Sequence, residues 1–139
     1  DQERRAKPGI PSDATVRFRL RLITEEYIEM LDSAFDKSAD WERIEMKELQ
    51  DALRVLIDGG RINVNFPEFI DALGDLDVVI EGARVACGVG GRPIARALHA
   101  ANMAKKAGPK RESDGKRLKP LGWTPADIVG ELRKQGWLG

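Results

Sequence analysis

Two runs of carboxylates, Glu25-Glu26-x-x-Glu29 and Glu68-x-x-Asp71-x-x-x-Asp75, stand about forty residues apart, each inside a stretch with helical apolar spacing. At roughly 100° per residue, Glu25, Glu29 and Glu26 fall at roughly 0°, 40° and 100° around their helix. Asp71, Asp75 and Glu68 fall at roughly 0°, 40° and 60° around theirs. Each helix therefore presents one narrow acidic stripe. Two such stripes facing one another repel, and divalent cations that favour oxygen ligands, Mg²⁺ above all, relieve that repulsion. The plainer reading is that the same carboxylates line solvated faces.

The second chemical signal is basic. The net charge is zero, yet from Glu25 to Glu81 there are sixteen acids against five bases, and from Lys105 to Lys119 seven bases against two acids. Metal held by the acids and ammonium groups from the basic segment can share the charge of a polyphosphate. A basic run of this size also fits nucleic-acid contact, or a solvated tail. Cys87 is the single cysteine and His99 the single histidine. An intrachain disulfide and a His-rich zinc site are thereby excluded, and any metal must be held by carboxylates.

The elements that must position these groups are helices. With 139 residues, 42% hydrophobic and 33% charged, the chain has the composition of one ordinary domain with a small core. Residues 1–13 are polar, carry Pro8, Gly9 and Pro11, and read as a loose arm before a single domain over 14–139. Ser12 or Asp13 caps a first helix from Ala14 to about Phe35, whose apolar residues reach beyond one stripe and predict packing on several sides. A second helix is expected over Trp41 to Asp58, stopped by Gly59-Gly60. A third, with Pro67 in its first turn, runs to about Cys87. Gly88, Gly90 and Gly91 make a turn, since no phosphate-loop pattern surrounds them. Pro93 opens a fourth helix, Arg92 to about Lys106, with His99, Asn102 and Lys105 at i, i+3 and i+6.

Residues 107–122 are rich in Gly, Pro, Lys and Arg and predict an extended basic loop with too few apolar residues to fold by itself. Thr124-Pro125 then predicts the start of a short last helix, Ala126 to Gln135. The fold class is all-α, a bundle of four or five helices. No apolar run approaches the roughly 20 residues that span a bilayer, and no signal peptide is read, so no membrane association and a cytoplasmic location are expected. His99 reads as a structural hydrogen-bonder. Trp123 either stacks on a base or anchors the loop against the bundle.

Four ordered motifs carry a family resemblance over roughly Arg17 to Ile128. Glu25-Glu26-Tyr27-Ile28-Glu29, Asp71-Ala72-Leu73-Gly74-Asp75-Leu76 and His99-Ala100-Ala101-Asn102-Met103-Ala104-Lys105 come first. Asp114-Gly115-Lys116-Arg117-Leu118-Lys119, followed by Gly122-Trp123-Thr124-Pro125-Ala126-Asp127, completes the series. Together they resemble the MazG-like all-α nucleotide pyrophosphohydrolases, and within them the short phage and bacterial members that include MazG-like dUTPases and the phage MazZ enzymes. The second acidic motif departs from the family's ExxD pattern, because Ala72 stands where the Glu is usual. Asp71 is one residue away on the same face, and Glu68 with Asp71 forms an ExxD of its own one turn upstream.

The resemblance implies hydrolysis of a nucleoside triphosphate between its α and β phosphates, giving a monophosphate and pyrophosphate. It further implies Mg²⁺, with Mn²⁺ able to substitute, as two or more ions on Glu26, Glu29, Asp71 and Asp75. Glu25 would be a further ligand or the group that orients or deprotonates water, so the catalytic set is Glu25, Glu26, Glu29 and Asp75. Lys105, with Lys116 or Lys119, would hold the β and γ phosphates, and Asn102 the sugar or a phosphate. Trp123 completes the substrate-binding residues. A purine nucleotide, dGTP first, is the expected substrate, with dUTP as the alternative, and the chain is expected to self-associate as a dimer or tetramer. Two other classes compete: a nucleic-acid-binding helical module, disfavoured because its acidic stripes would face a polyanion, and a helical interaction protein.

Overall fold

In a computed structural model, residues 7–35, 40–112 and 117–139 are described, residues 40–42 by their backbone alone. Among them are five α-helices and no strand: α1 Asp13–Ala34, α2 Asp40–Gly59, α3 Phe66–Ala86, α4 Gly91–Ala104 and α5 Ile128–Lys134. The protein is all-α. None of its described helices is long and apolar enough to cross a membrane.

The chain divides into two compact units, Asp1–Ile70 and Asp71–Gly139, the division falling within α3. In the first, Ser12 caps α1, its hydroxyl accepting the Thr15 N–H at 3.3 Å. α1 packs on α2, and Val16 and Ile57 are buried there. Beside Val16, the Arg17 guanidinium takes up carbonyls that the end of α2 leaves unpaired. It donates to Ile57 O, to Asp58 O at 3.2 Å and to Gly60 O at 2.7 Å. Arg21 adds a bond to Asp58 Oδ1 at 2.8 Å. Just past the end of α2 only glycine fits at position 60, since a Cβ there would lie 2.5 Å from Leu56 O.

Within the first unit, one side of α1 is packed, against α2. Val16 is its one buried residue among those described, and Tyr27 and Met30 stand 47% and 51% exposed. Within that unit, packing on α2 covers one stripe of the helix.

In the second unit, α3 ends where Gly88 turns at φ 69°, with Gly88 N–H donating to Val85 O and Val89 N–H to Arg84 O, each at 2.9 Å. This is the expected glycine turn, left-handed where only glycine sits without strain. α4 packs against α5, and Gln135 reaches back to accept the Gly90 N–H at 2.7 Å. The fourth helix tightens at its end into a 3-10 turn, Lys105–Ala107. The last helix starts later than Thr124-Pro125 predicts. Asp127 is its N-cap, the carboxylate accepting the Gly130 N–H at 2.8 Å, and Thr124 and Pro125 stay outside the helix.

Candidate functional site

Within the second unit, three of the sequence-predicted substrate-binding residues, Lys105, Lys119 and Trp123, come together, with Asn102 on the neighbouring helix. α4 delivers Asn102 near its end, and the 3-10 turn that follows holds Lys105. Trp123 lies alongside, its indole N–H donating to Ala101 O at 2.8 Å and its backbone N–H to Pro120 O at 3.1 Å. The Lys105 Nζ stands 5.0 Å from the indole centroid, and the Lys119 Nζ 4.6 Å. One half-buried ring therefore holds two ammonium groups by its quadrupole, each contact worth about 0.5–1 kcal/mol at such exposure. Asn102 sits one residue from the carbonyl that anchors the indole, and its own carbonyl accepts the Lys105 backbone N–H.

The basic loop is fastened at its base. Lys110 and Arg117 form an isolated antiparallel bridge, and the Leu118 N–H donates to Pro109 O at 2.9 Å. The Arg117 guanidinium donates to Gly108 O at 3.0 Å. Gly108 is buried because Leu118 crosses it: a Cβ on Gly108 would lie 1.9 Å from the Leu118 carbonyl oxygen. Polar backbone pairing and a close crossing replace the apolar residues that the loop lacks. Arg117 Nε is buried with no hydrogen-bond partner among the described residues. Lys116 lies outside the described residues.

The acidic residues are placed on the helices that their spacing predicts. Glu25, Glu26 and Glu29 are on α1, in the first unit, with Glu25 half-buried and Glu26 and Glu29 exposed. Asp71 and Asp75, one turn apart on α3 and both exposed, belong to the second unit. Among the described residues no three His, Cys, Asp or Glu side chains form a group that could hold a metal ion. The donor chemistry itself fits a hard cation: every candidate ligand is a carboxylate, and each helix offers a pair at i, i+4. His99 is exposed on α4, away from the buried setting of a structural histidine.

Arg17, Gly108 and Arg117 are the residues sequence reasoning passed over. Arg17 interrupts an apolar stretch of α1 next to Val16, and Arg117 sits in a loop already read as basic. Neither position shows in sequence which carbonyl it serves.

No protein-family model matches this chain, and neither a curated protein nor a solved structure does.

Proposed function

We propose that the protein is a metal-dependent nucleoside triphosphate pyrophosphohydrolase that acts on a purine nucleotide such as dGTP, with dUTP as the alternative substrate. The observation that carries the reading is the grouping of Lys105 and Lys119 on Trp123, beside Asn102 and over a loop fastened at its base. Two like charges held on one ring repel each other, and a polyanion lying between them relieves that repulsion while taking hydrogen bonds from both. A triphosphate is such a polyanion. Its β and γ groups take the two ammoniums as point charges, and the Asn102 amide bonds to sugar or phosphate oxygens.

In the reaction, a water oxygen adds to the α-phosphorus, the bond from α-phosphorus to the bridging oxygen breaks, and pyrophosphate leaves with the electron pair. The carboxylates proposed to hold the metal are Glu26, Glu29, Asp71 and Asp75, and when bound the divalent ion supplies charge neutralisation and a more acidic water. Glu25 is the proposed acceptor of that water's proton. Lys105 and Lys119 stabilise the charge that gathers on the leaving pyrophosphate. The protein acts as a dimer or tetramer in this reading.

The test is a panel of ribo- and deoxynucleoside triphosphates incubated with the purified full chain and Mg²⁺ or Mn²⁺, with pyrophosphate and monophosphate quantified. Stoichiometric release of both from a purine deoxynucleotide is expected. Release of orthophosphate in place of pyrophosphate, or no turnover across the panel with either metal, refutes the reading. Tight metal-independent binding of an oligonucleotide, lost on replacing Lys105 and Lys119, would favour the nucleic-acid-binding module instead.

A further inference from the structure

We propose that Trp123 is a positioning residue for a polyphosphate chain and not a platform for a base. Its indole sets one ammonium from the end of α4 and one from the loop at a fixed separation, so the site takes inorganic tripolyphosphate as it takes the phosphates of a nucleotide. This assignment rests on the proposed function for the class of anion and not for its hydrolysis.

Backbone geometry brings each lysine to the ring. The indole N–H donates to Ala101 O at 2.8 Å, which docks the ring on the end of α4. Lys105 follows Ala101 by four residues and keeps helical backbone angles, φ −63° and ψ −19°. A helical side chain leans toward the helix N-terminus, over the turn before its own Cα. The Lys105 Nζ accordingly stands 5.0 Å from the indole centroid.

Lys119 arrives by another route. Gly122 takes φ 77°, and the Trp123 N–H donates to Pro120 O at 3.1 Å. Residues 120–123 thus make a tight turn with glycine at its third position, where the type II form requires a positive φ. The turn folds the chain back on itself, and the Lys119 Nζ comes to 4.6 Å from the same centroid.

The ring serves these cations electrostatically. An aromatic face is negative, and that of Trp attracts cations best. An ammonium has three donors, so one that rests against a ring still has N–H groups to give to a phosphate. Ring, ammonium and phosphate alternate in sign, and the contact that holds each lysine is retained when the anion arrives. Free lysine side chains lose rotamer freedom on binding, and the ring removes part of that cost in advance. A base has the weaker claim on the indole. Trp123 is half-buried, its N–H is committed to Ala101, and a stacked base would compete with two ammonium groups within 5.0 Å of the centroid.

The experiment is titration calorimetry on the purified full chain with inorganic tripolyphosphate, a non-hydrolysable nucleoside triphosphate analogue and the matching monophosphate. Trp123→Leu removes the aromatic face and is expected to weaken tripolyphosphate and the analogue by the same factor, roughly tenfold, with the monophosphate changed less than about twofold. Trp123→Phe keeps a weaker face and should lose only about threefold. Both variants forfeit the bond to Ala101 O, so their Tm should fall alike, and tighter binding by the Phe variant at equal Tm is a difference that packing does not produce. Should Trp123→Leu not fold, Gly122→Ala decides. An added Cβ there meets nothing within 4 Å, so the substitution acts through the strained φ alone, and by moving Lys119 off the ring it should weaken tripolyphosphate; unchanged affinity overturns the proposal. So does a Trp123→Leu variant in which the analogue and the monophosphate weaken while tripolyphosphate does not, the mark of a stacked base. Equal losses in the Leu and Phe variants, or a wild-type chain that does not bind tripolyphosphate, overturn it as well. Pyrophosphate release from dGTP is assayed in parallel on the wild-type chain. The expected binding pattern with no hydrolysis removes the enzymatic reading alone, and hydrolysis without that pattern removes this inference alone.

Discussion

Replacing Lys105 or Lys119 by alanine separates a polyphosphate site from a merely basic surface. Their ammonium groups lie 5.0 and 4.6 Å from the same indole centroid, so they stand within about 9.6 Å of each other and a single triphosphate can engage both. A hydrogen bond from a charged donor is worth about 1.5–3 kcal/mol. Lys119 is exposed and screened, which places it at about 1.5 kcal/mol, roughly a tenfold loss in Kd for the triphosphate. Lys105 is half-buried, and about 2 kcal/mol there corresponds to a loss of roughly thirtyfold. Each substitution also removes one cation–π contact of about 0.5–1 kcal/mol, too little to unfold the unit. The assay is isothermal titration of a non-hydrolysable triphosphate analogue and of the matching monophosphate, in low and moderate salt. The monophosphate, lacking β and γ groups, should lose less than about twofold. Equal losses for both nucleotides would refute the argument, since they would mean that the lysines act through general charge or through packing on Trp123.

Other outcomes follow from the same geometry. Arg17→Ala strips three carbonyls at the end of α2 of their donor and is expected to cost about 2–3 kcal/mol, a fall in Tm of roughly 6–12 °C. Arg17→Lys should recover little of it, because one ammonium cannot reproduce the fork; full thermal stability in Arg17→Ala would remove this capping role. Glu29→Gln and Asp75→Asn should each abolish metal-dependent pyrophosphate release and the thermal stabilisation by Mg²⁺ with nucleotide, with the helical circular dichroism unchanged. Near-normal hydrolysis in both would sink the metal reading. Asp71→Asn should resemble Asp75→Asn and Glu68→Gln should be mild in the same assays, whereas the reverse ranking would move the ligand pair one turn upstream. Gly108→Ala forces a Cβ against the Leu118 carbonyl at 1.9 Å, so the loop should part at its base, and limited trypsin digestion should cut after Lys110, Arg111 or Arg117 faster than in the wild type.

Most of the helices were legible in the residues because their ends are local events. Ser12 caps α1 through a bond to Thr15 only three residues away. Gly60 follows α2 where a Cβ would clash with Leu56 O, and Gly88 supplies the positive φ that closes α3. Interactions of this range are encoded in a few consecutive residues, so spacing and residue type suffice to place them. The start of α5 was missed because two capping residues competed within four positions. Thr124-Pro125 is the stronger signal in sequence, and Asp127 made the bond to Gly130.

The sequence by itself determined which residues carry charge, on which helix each lies, and the phase that sets Glu25 with Glu29 and Asp71 with Asp75 on common faces. Helical periodicity is a property of neighbouring residues and needs no partner. Only the tertiary structure decided that Lys105 and Lys119 share one indole, that Leu118 crosses Gly108, and that Arg17 serves the end of a helix about forty residues away. Those contacts depend on how the backbone returns on itself. Whether a given ammonium or guanidinium finds a ring, a carbonyl or water is settled by packing at that point, which no local pattern of residue types contains.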